Sequence, residues 1–308
     1  MDNIGNTAQV LKLPYYRMEI DMKNKIKILI AGGDMRQIFC AEKLSQKYDI
    51  CVVGFDDAYI TEKIFPYKNN DSVEKFDCAL LPIMPFDEVG NINTPCFSGK
   101  LTTAKIYSML RKNAVVFVGN DDKRVWEKFP ETAVVNYMSR EELCLKNAIP
   151  TAEGAVMTAI RELPVTLNGT SVLIVGAGRI GTALTMILRG FGADVTLAVR
   201  NGKGVAKARI LGVKSVFTKE MGSDYALVFN TVPELIFDRE RLFGFDKNTL
   251  FIDLASRPGG IDFDGAAELG RKVIWAQGLP GKTAPVTAGE FVAETVSSIL
   301  DERSESCE

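Results

Sequence analysis

Three observations predict an α/β fold of two doubly wound, Rossmann-like parallel-sheet domains, joined by a helix and facing each other across an interdomain cleft. Short continuous apolar runs alternate with helical periodicity along nearly the whole chain, the pattern of parallel strands buried on both faces and covered by helices. Two of these runs, Ile26–Ala31 and Ser171–Val175, lead into a Gly-rich turn and then a helical segment. The length of 308 residues suits two domains of roughly 100–200 residues each.

The first strand, Ile26–Ala31, ends at Gly32-Gly33-Asp34, and residues 35–47 carry Ile38, Phe39, Ala41 and Leu44 at helical spacing. A second strand is predicted at Ile50–Phe55, closed by Asp56-Asp57. Further strands are expected at Cys78–Leu81, Val115–Val118 and, more weakly, Ala133–Val135, with a helix near Thr102–Lys112. Pro150 is expected to stop this domain, because proline lacks an N–H and clashes with the preceding turn. Thr151–Leu163 then reads as one helix, with Thr151 as its N-cap and Glu153 in its first turn. Strands of a second sheet are predicted at Ser171–Val175, Asp194–Val199, Ser215–Phe217, Tyr225–Asn230, Leu250–Asp253 and Lys272–Ala276, and a last helix at Val286–Leu300. The resulting division is a tail over 1–22, a substrate and catalytic domain over 23–149, a connecting helix over 150–164, a dinucleotide-binding domain over 165–285, and a C-terminal helix over 286–308 that folds back on the first domain.

Composition narrows the chemistry. A formal net charge of −2 gives no electrostatic reason to expect nucleic acid or an anionic membrane as partner. The chain has no histidine, which removes the usual metal ligand and the usual general acid or base, along with any triad that depends on imidazole. Its six cysteines (Cys40, Cys51, Cys78, Cys96, Cys144 and Cys307) form no CxxC pair and no zinc spacing. No metal is expected, and the thiols read as small core residues in a reducing compartment. Residues 1–22 do not read as a signal peptide, and no stretch approaches the ~20 apolar residues of a membrane span. The expectation is a soluble cytoplasmic protein, with homo-oligomer formation left open.

The strongest motif is Gly176-Ala177-Gly178-Arg179-Ile180-Gly181, set between the strand SVLIV and a helical segment. In that context each glycine has a job: Gly176 makes the tight turn, Gly178 lets a pyrophosphate approach the backbone, and Gly181 lets the helix pack close to the strand. The helix N-terminus offers free N–H groups and positive potential to the phosphates. Units that bind NAD usually end the next strand with an acid for the ribose hydroxyls. Here Arg200-Asn201 stands there instead, and a guanidinium suits a 2′-phosphate. The balance favours NADP, with NAD as the alternative. Lys203, Lys207 and Arg209 read as a solvated helix face. Thr231, Val232 and Pro233, after the fourth strand, are assigned to cofactor contact.

Two more segments fall where doubly wound sheets place ligands, at the carboxyl ends of strands. Asp253-Leu254-Ala255-Ser256-Arg257-Pro258-Gly259-Gly260 and Gly278-Leu279-Pro280-Gly281-Lys282-Thr283-Ala284-Pro285 read as loops that present one cation each, Arg257 and Lys282. Such a pair suits a small dicarboxylate. In the first domain, Gly32-Gly33-Asp34-Met35-Arg36-Gln37 lacks the third glycine, so a second dinucleotide is not expected there. Arg36 is placed facing the cleft, and Asp34 reads as an N-cap or a proton acceptor. Phe97-Ser98-Gly99-Lys100 is a weaker turn of the same kind.

The segments GGDMRQ, IPTAEGAVMTAI, VLIVGAGRIGTAL, FIDLASRPGGIDF and GLPGKTAPVTAG, in this order, resemble the dipicolinate synthase A-subunit family, over residues 25 to 300. The N-terminal tail and the Pro85–Pro95 loop lie outside the likeness. The resemblance implies dipicolinate formation for the endospore, in the mother-cell cytoplasm, by NAD(P)-dependent CH–CH dehydrogenation of a dihydrodipicolinate-level cyclic dicarboxylate. It also implies a partner, a smaller and flavoprotein-like B subunit. Arg257 and Lys282, with Arg36 opposite, would neutralise the two carboxylates. Two other readings stay open: a nucleotide-binding subunit whose redox chemistry occurs on the B-subunit flavin, and a shikimate-dehydrogenase-like enzyme with another substrate.

Overall fold

In the central strands, alternate side chains enter different cores. The computed structural model describes residues 25–66 and 75–305, so the expectations for residues 1–22 and Cys307 lie outside the described residues. In β1 (Lys27–Ala31), Ile28 and Ile30 pack on one face of the sheet, and Leu29 and Ala31 on the other. β7 (Ser171–Val175) repeats the arrangement, with Val172 and Ile174 on one face and Leu173 and Val175 on the other. A strand buried on both faces must be apolar at every position, which is why these segments read as continuous runs. Full burial of each such side chain contributes about 1.5–3 kcal/mol.

The first sheet contains β1, β2 (Asp49–Val53), β3 (Phe65–Pro66), β4 (Phe76–Leu80), β5 (Leu110–Val118) and β6 (Ala133–Asn136), in the order β3-β2-β1-β4-β5-β6. The second contains β7, β8 (Asp194–Val199), β9 (Lys214–Phe217), β10 (Leu227–Asn230), β11 (Leu250–Asp253) and β12 (Lys272–Trp275), in the order β12-β11-β10-β7-β8-β9. Every pairing is parallel. Counted within each domain, both sheets have the doubly wound order 3-2-1-4-5-6, which places ligands at the crevice where the order reverses. The predicted fold class is borne out.

The helices of the first domain are α1 (Met35–Leu44), α2 (Thr103–Ser108) and α3 (Arg124–Lys128). α4 (Glu141–Glu162) links the two domains. The second domain has α5 (Arg179–Gly190), α6 (Gly202–Ile210), α7 (Arg239–Gly244), α8 (Phe263–Glu268) and α9 (Leu279–Thr283), and α10 (Pro285–Glu305) returns to the first. Val292, Ala293, Val296, Ile299 and Leu300 of α10 join the first-domain core. The approach to α1 is close: a Cβ on Gly289 would stand 2.4 Å from the carbonyl oxygen of Arg36.

The structure corrects the sequence reading in three places. Pro150 does not end an element; it lies inside α4, which begins nine residues earlier at Glu141. Thr151 is consequently no N-cap, and its hydroxyl donates to the Asn147 carbonyl at 2.7 Å. Packing on both domains overrides the helix-breaking tendency. Leu143 is in the first core, whereas Ala152, Ala155, Val156 and Ala159 are in the second. The helix expected over Thr102–Lys112 stops at Ser108, and the chain enters β5 at Leu110. The Gly278–Pro285 segment is not a loop throughout, since Leu279–Thr283 forms a short helix with a proline in its first turn.

Candidate functional site: a cleft over the second sheet

The Gly-rich turn gives each of its glycines a different surrounding. Gly176 has φ +101°, and a Cβ there would lie 2.4 Å from Thr231 Oγ1. Gly181 faces the backbone of the same turn, with Gly176 O only 2.0 Å from where its Cβ would be. Only glycine fits either place. Gly178 differs, because a Cβ built on it meets no heavy atom within 4 Å. That open space lies at the N-cap of α5, where no side chain bonds the first N–H groups. The donors and the room above them make a phosphate cradle.

Around the cradle lies a cleft of about 1300 Å³. Its lining includes Gly176, Gly178, Arg179, Arg200, Asn201, Thr231, Val232 and Pro233. Ile180 and Gly181 stand behind it as packing residues of the turn and helix. Thr231 also has a structural duty: its hydroxyl donates to Val175 O at 2.8 Å, joining the ends of β10 and β7. Asn201 caps α6 by accepting from Gly204 N.

Several contacts at this cleft join residues far apart in sequence. Lys207, read as a solvated helix residue, instead donates to the Ala177 carbonyl at 2.9 Å and steadies the turn. Arg179 reaches out of the turn to Glu141 on α4, at 2.7 Å. Arg200 stands 3.5 Å from Glu234, which belongs to the loop after β10. No local pattern announces such pairs.

The loop after β11 is held by a buried acid. Asp253 is fully buried and accepts from Asn230 Nδ2 at 2.8 Å, Ala255 N at 3.0 Å and Gly260 N at 2.8 Å. Its lone pairs are therefore occupied in shaping the loop that carries Arg257. The exposed guanidinium of Arg257 lies over the ring of Trp275, 5.6 Å from its centroid. Trp275 is fixed in turn by an indole N–H to Ala255 O at 3.0 Å and by stacking on Phe263.

Arg36 is half-buried at the start of α1, where it chelates Asp34, with Nη2 to Oδ2 at 2.6 Å. Asp34 caps the helix by accepting from Arg36 N at 3.0 Å. Burial pushes this carboxyl up, but the Arg36 hydrogen bonds and charge outweigh that and hold it below the usual carboxylate range. Asp34 is thus a poor proton acceptor. The Asp34–Arg36 pair abuts α9, since a Cβ on Gly281 would lie 2.6 Å from Asp34 Oδ2 and 2.7 Å from Arg36 Nε. Lys282, the next residue, is exposed. The fold therefore brings Arg36 beside the segment that bears Lys282, and it keeps Arg257 on its own aromatic shelf. None of the three cations lines the 1300 Å³ cleft.

The first domain's Gly-rich turn is filled by its own chain. Gly33 N donates to Asn93 O at 2.9 Å, and a Cβ on Gly32 would meet Asn93 O and Thr94 Cγ2 at 2.8 Å. Ser98 is tied to Asp56 through its amide and its hydroxyl. Among the described residues, no helix is long and apolar enough to cross a membrane, and no group of three or more His, Cys, Asp or Glu is placed to hold a metal.

Comparison with known proteins follows the same division of the chain. Residues 27–138 match the family described as the dipicolinate synthase A-subunit N-terminal domain. The curated dipicolinate synthase A-subunit of Bacillus subtilis (strain 168) is 33% identical over 292 residues, covering 91% of this chain and 98% of the relative. The chain belongs to the dipicolinate synthase A-subunit family. Within this family, the crystal structure of the Bacillus halodurans protein superposes with a TM-score of 0.82 at 30% identity, covering 90% of this chain and 98% of that one. The corresponding Bacillus subtilis crystal structure gives a TM-score of 0.81 at 29% identity, covering 92% and 98%. The family resemblance read from the motifs is borne out. Residues 146–262 match the NAD binding domain of D-isomer specific 2-hydroxyacid dehydrogenases. The second domain is accordingly a dehydrogenase-type domain for a nicotinamide cofactor, and the three-glycine cradle fits that group.

Proposed function

We propose that the chain is an NADP-dependent oxidoreductase that dehydrogenates a dihydrodipicolinate-level cyclic dicarboxylate to dipicolinate, in the mother-cell cytoplasm of an endospore former. The observation that carries this reading is the cradle at Gly178, open above free helix N–H groups, with Arg200 at the rim where a carboxylate usually selects NAD. The family membership supplies the product class.

Loss of a hydride and a proton from a dihydropyridine ring gives an aromatic ring, so the step is strongly downhill. It needs orientation and charge neutralisation more than a strong base. A bound nicotinamide would supply the hydride acceptor. The chain's own part is to hold the substrate's two carboxylates with Arg257, Lys282 and Arg36, the last held in place by Asp34. With Asp34 committed to Arg36, the ring proton passes to Lys282 or to solvent. A chain without histidine is sufficient for such a reaction.

The name of the relatives implies a second subunit, and we assign this chain a flavoprotein-like B partner on that ground. The deciding experiment generates the dihydrodipicolinate-level substrate in situ and adds the purified chain with NADP or NAD. Dipicolinate formation is then followed with and without the partner. Product from the chain alone, with one NADPH per dipicolinate, is the expected result. Dinucleotide binding without product until the partner is added would move the redox step to the partner.

A further inference from the structure

We infer that Glu234 is a coenzyme-discriminating residue, a carboxylate brought to the adenosine end of the cleft from the loop after β10, where it tempers the preference that Arg200 creates. This rests on the proposed placement of a dinucleotide in the cleft. β8 ends at Val199 and is followed by Arg200, so the acid that commonly follows the second strand is missing from its usual position. The fold supplies one from elsewhere. Glu234 Oε1 lies 3.5 Å from Arg200 Nη1, both residues line the same cleft, and both side chains are largely exposed, at 64% and 80%.

Glu234 has an anchored position. The Asn230 side chain bonds both the N–H and the carbonyl of Val232. The amides of Ile236 and Phe237 donate to Gly260 O at 2.9 and 3.0 Å. Gly260 is in turn bound to the buried Asp253. Glu234 thus sits between two fixed points of its loop, and its partner Arg200 sits at the end of a central strand.

The two coenzymes meet this pair differently. A 2′-phosphate carries close to two negative charges at neutral pH, so it gains from Arg200 and is opposed by Glu234. A ribose 2′-hydroxyl can donate to the Glu234 carboxylate and has no need of the guanidinium. With both residues present, the cleft accepts NADP while retaining a hold on NAD.

The test is calorimetric titration of the full chain with NADP and with NAD, in the parent, Glu234→Gln, Arg200→Ala and the double variant. Glu234→Gln is expected to tighten NADP about three- to tenfold, the range of a surface charge effect, while NAD is unchanged or weaker. In the Arg200→Ala background the same change should give NADP no gain beyond that of losing one repulsive charge, a smaller factor than in the parent. An equal shift for both coenzymes, or the same NADP gain with and without Arg200, would overturn the inference. A parent chain that binds neither coenzyme would give a different signature and overturn the dinucleotide placement itself. Thermal melting of the variants, expected to match the parent because both side chains are exposed, separates these outcomes from misfolding.

Discussion

Replacing Gly178 by alanine separates the shape of the cradle from the stability of the domain. Gly178 has φ −78° and ψ −162°, which any L-residue adopts, and the added methyl meets no heavy atom within 4 Å. The folded chain therefore takes the substitution without strain. The unfolded chain loses freedom, so stability should hold or rise by about 0.4–1 kcal/mol. The dinucleotide is affected in the opposite sense, because the methyl stands in the space that a pyrophosphate needs for contact with the backbone. Forcing one methyl group into a packed contact costs about 1–3 kcal/mol, which corresponds to a loss of about 5- to 150-fold in affinity. Gly181→Ala supplies the contrast: its methyl would meet the Gly176 carbonyl at 2.0 Å, a backbone atom that cannot rotate away. That variant should melt well below the parent before any ligand is added. Thermal melting and calorimetric titration with NADP and NAD measure both properties on the same samples. Gly178→Ala that binds within about twofold of the parent, or that melts like Gly181→Ala, would refute the assignment of the open space to a pyrophosphate.

Three further outcomes follow from the same geometry. Arg257→Ala should lose most turnover while still binding NADP, because its guanidinium lies on Trp275 outside the cofactor cleft; steady-state rates together with titration check this, and unchanged turnover would remove Arg257 from the substrate site. Arg200→Ala should weaken NADP by about tenfold or more, the scale of a charge-assisted contact of about 1.5–3 kcal/mol, and leave NAD nearly unaffected, as read from the two dissociation constants. Asp34→Asn bears on pH: the folded-state carboxyl titrates below its ordinary 3.8, so the Asp34–Arg36 contribution is fully present above that value and fades as the pH falls through the depressed one. The melting-temperature gap between parent and variant should be widest near neutrality and close under strongly acidic conditions, and a gap independent of pH would count against the pair.

What is legible in the sequence is what local pattern determines. Ser171–Val175, Asp194–Val199 and Leu250–Asp253 match the expected strands residue for residue, because a strand buried on both faces is an unbroken apolar run bounded by turn residues. The family is legible as well, through segments such as DLASRPGG whose spacing is specific. The continuation of α4 through Pro150 is not, because two separate cores stabilise it and neither is visible at the proline. The pairs of the cleft rim are equally hidden. Lys207 meets Ala177, and Glu234 meets Arg200, only once β7, β8 and β10 lie side by side.

Two sheets of identical order in one chain pose the question of why only one carries a dinucleotide cradle. Setting Gly176-Ala177-Gly178-Arg179-Ile180-Gly181 against Gly32-Gly33-Asp34-Met35-Arg36-Gln37 places Asp34 at the position of Gly178 and Gln37 at that of Gly181. Each exchange has a physical consequence. Where Gly178 leaves the helix N–H groups of α5 without a side-chain partner, Asp34 accepts from Arg36 N and satisfies α1 from within. A carboxylate in that place also repels a phosphate. Where Gly181 lets α5 press onto its turn, Gln37 fills the corresponding gap, and its amide donates to Leu81 O at 3.0 Å. The loop through Asn93 and Thr94 then lies over Gly32 and Gly33, in space that a pyrophosphate would otherwise use. The first domain keeps the strand, turn and helix but directs the turn's polarity inward, to the Asp34–Arg36 pair that adjoins α9. The same topology thus yields a coenzyme cradle in one half and, in the other, a charged platform beside the segment that bears Lys282.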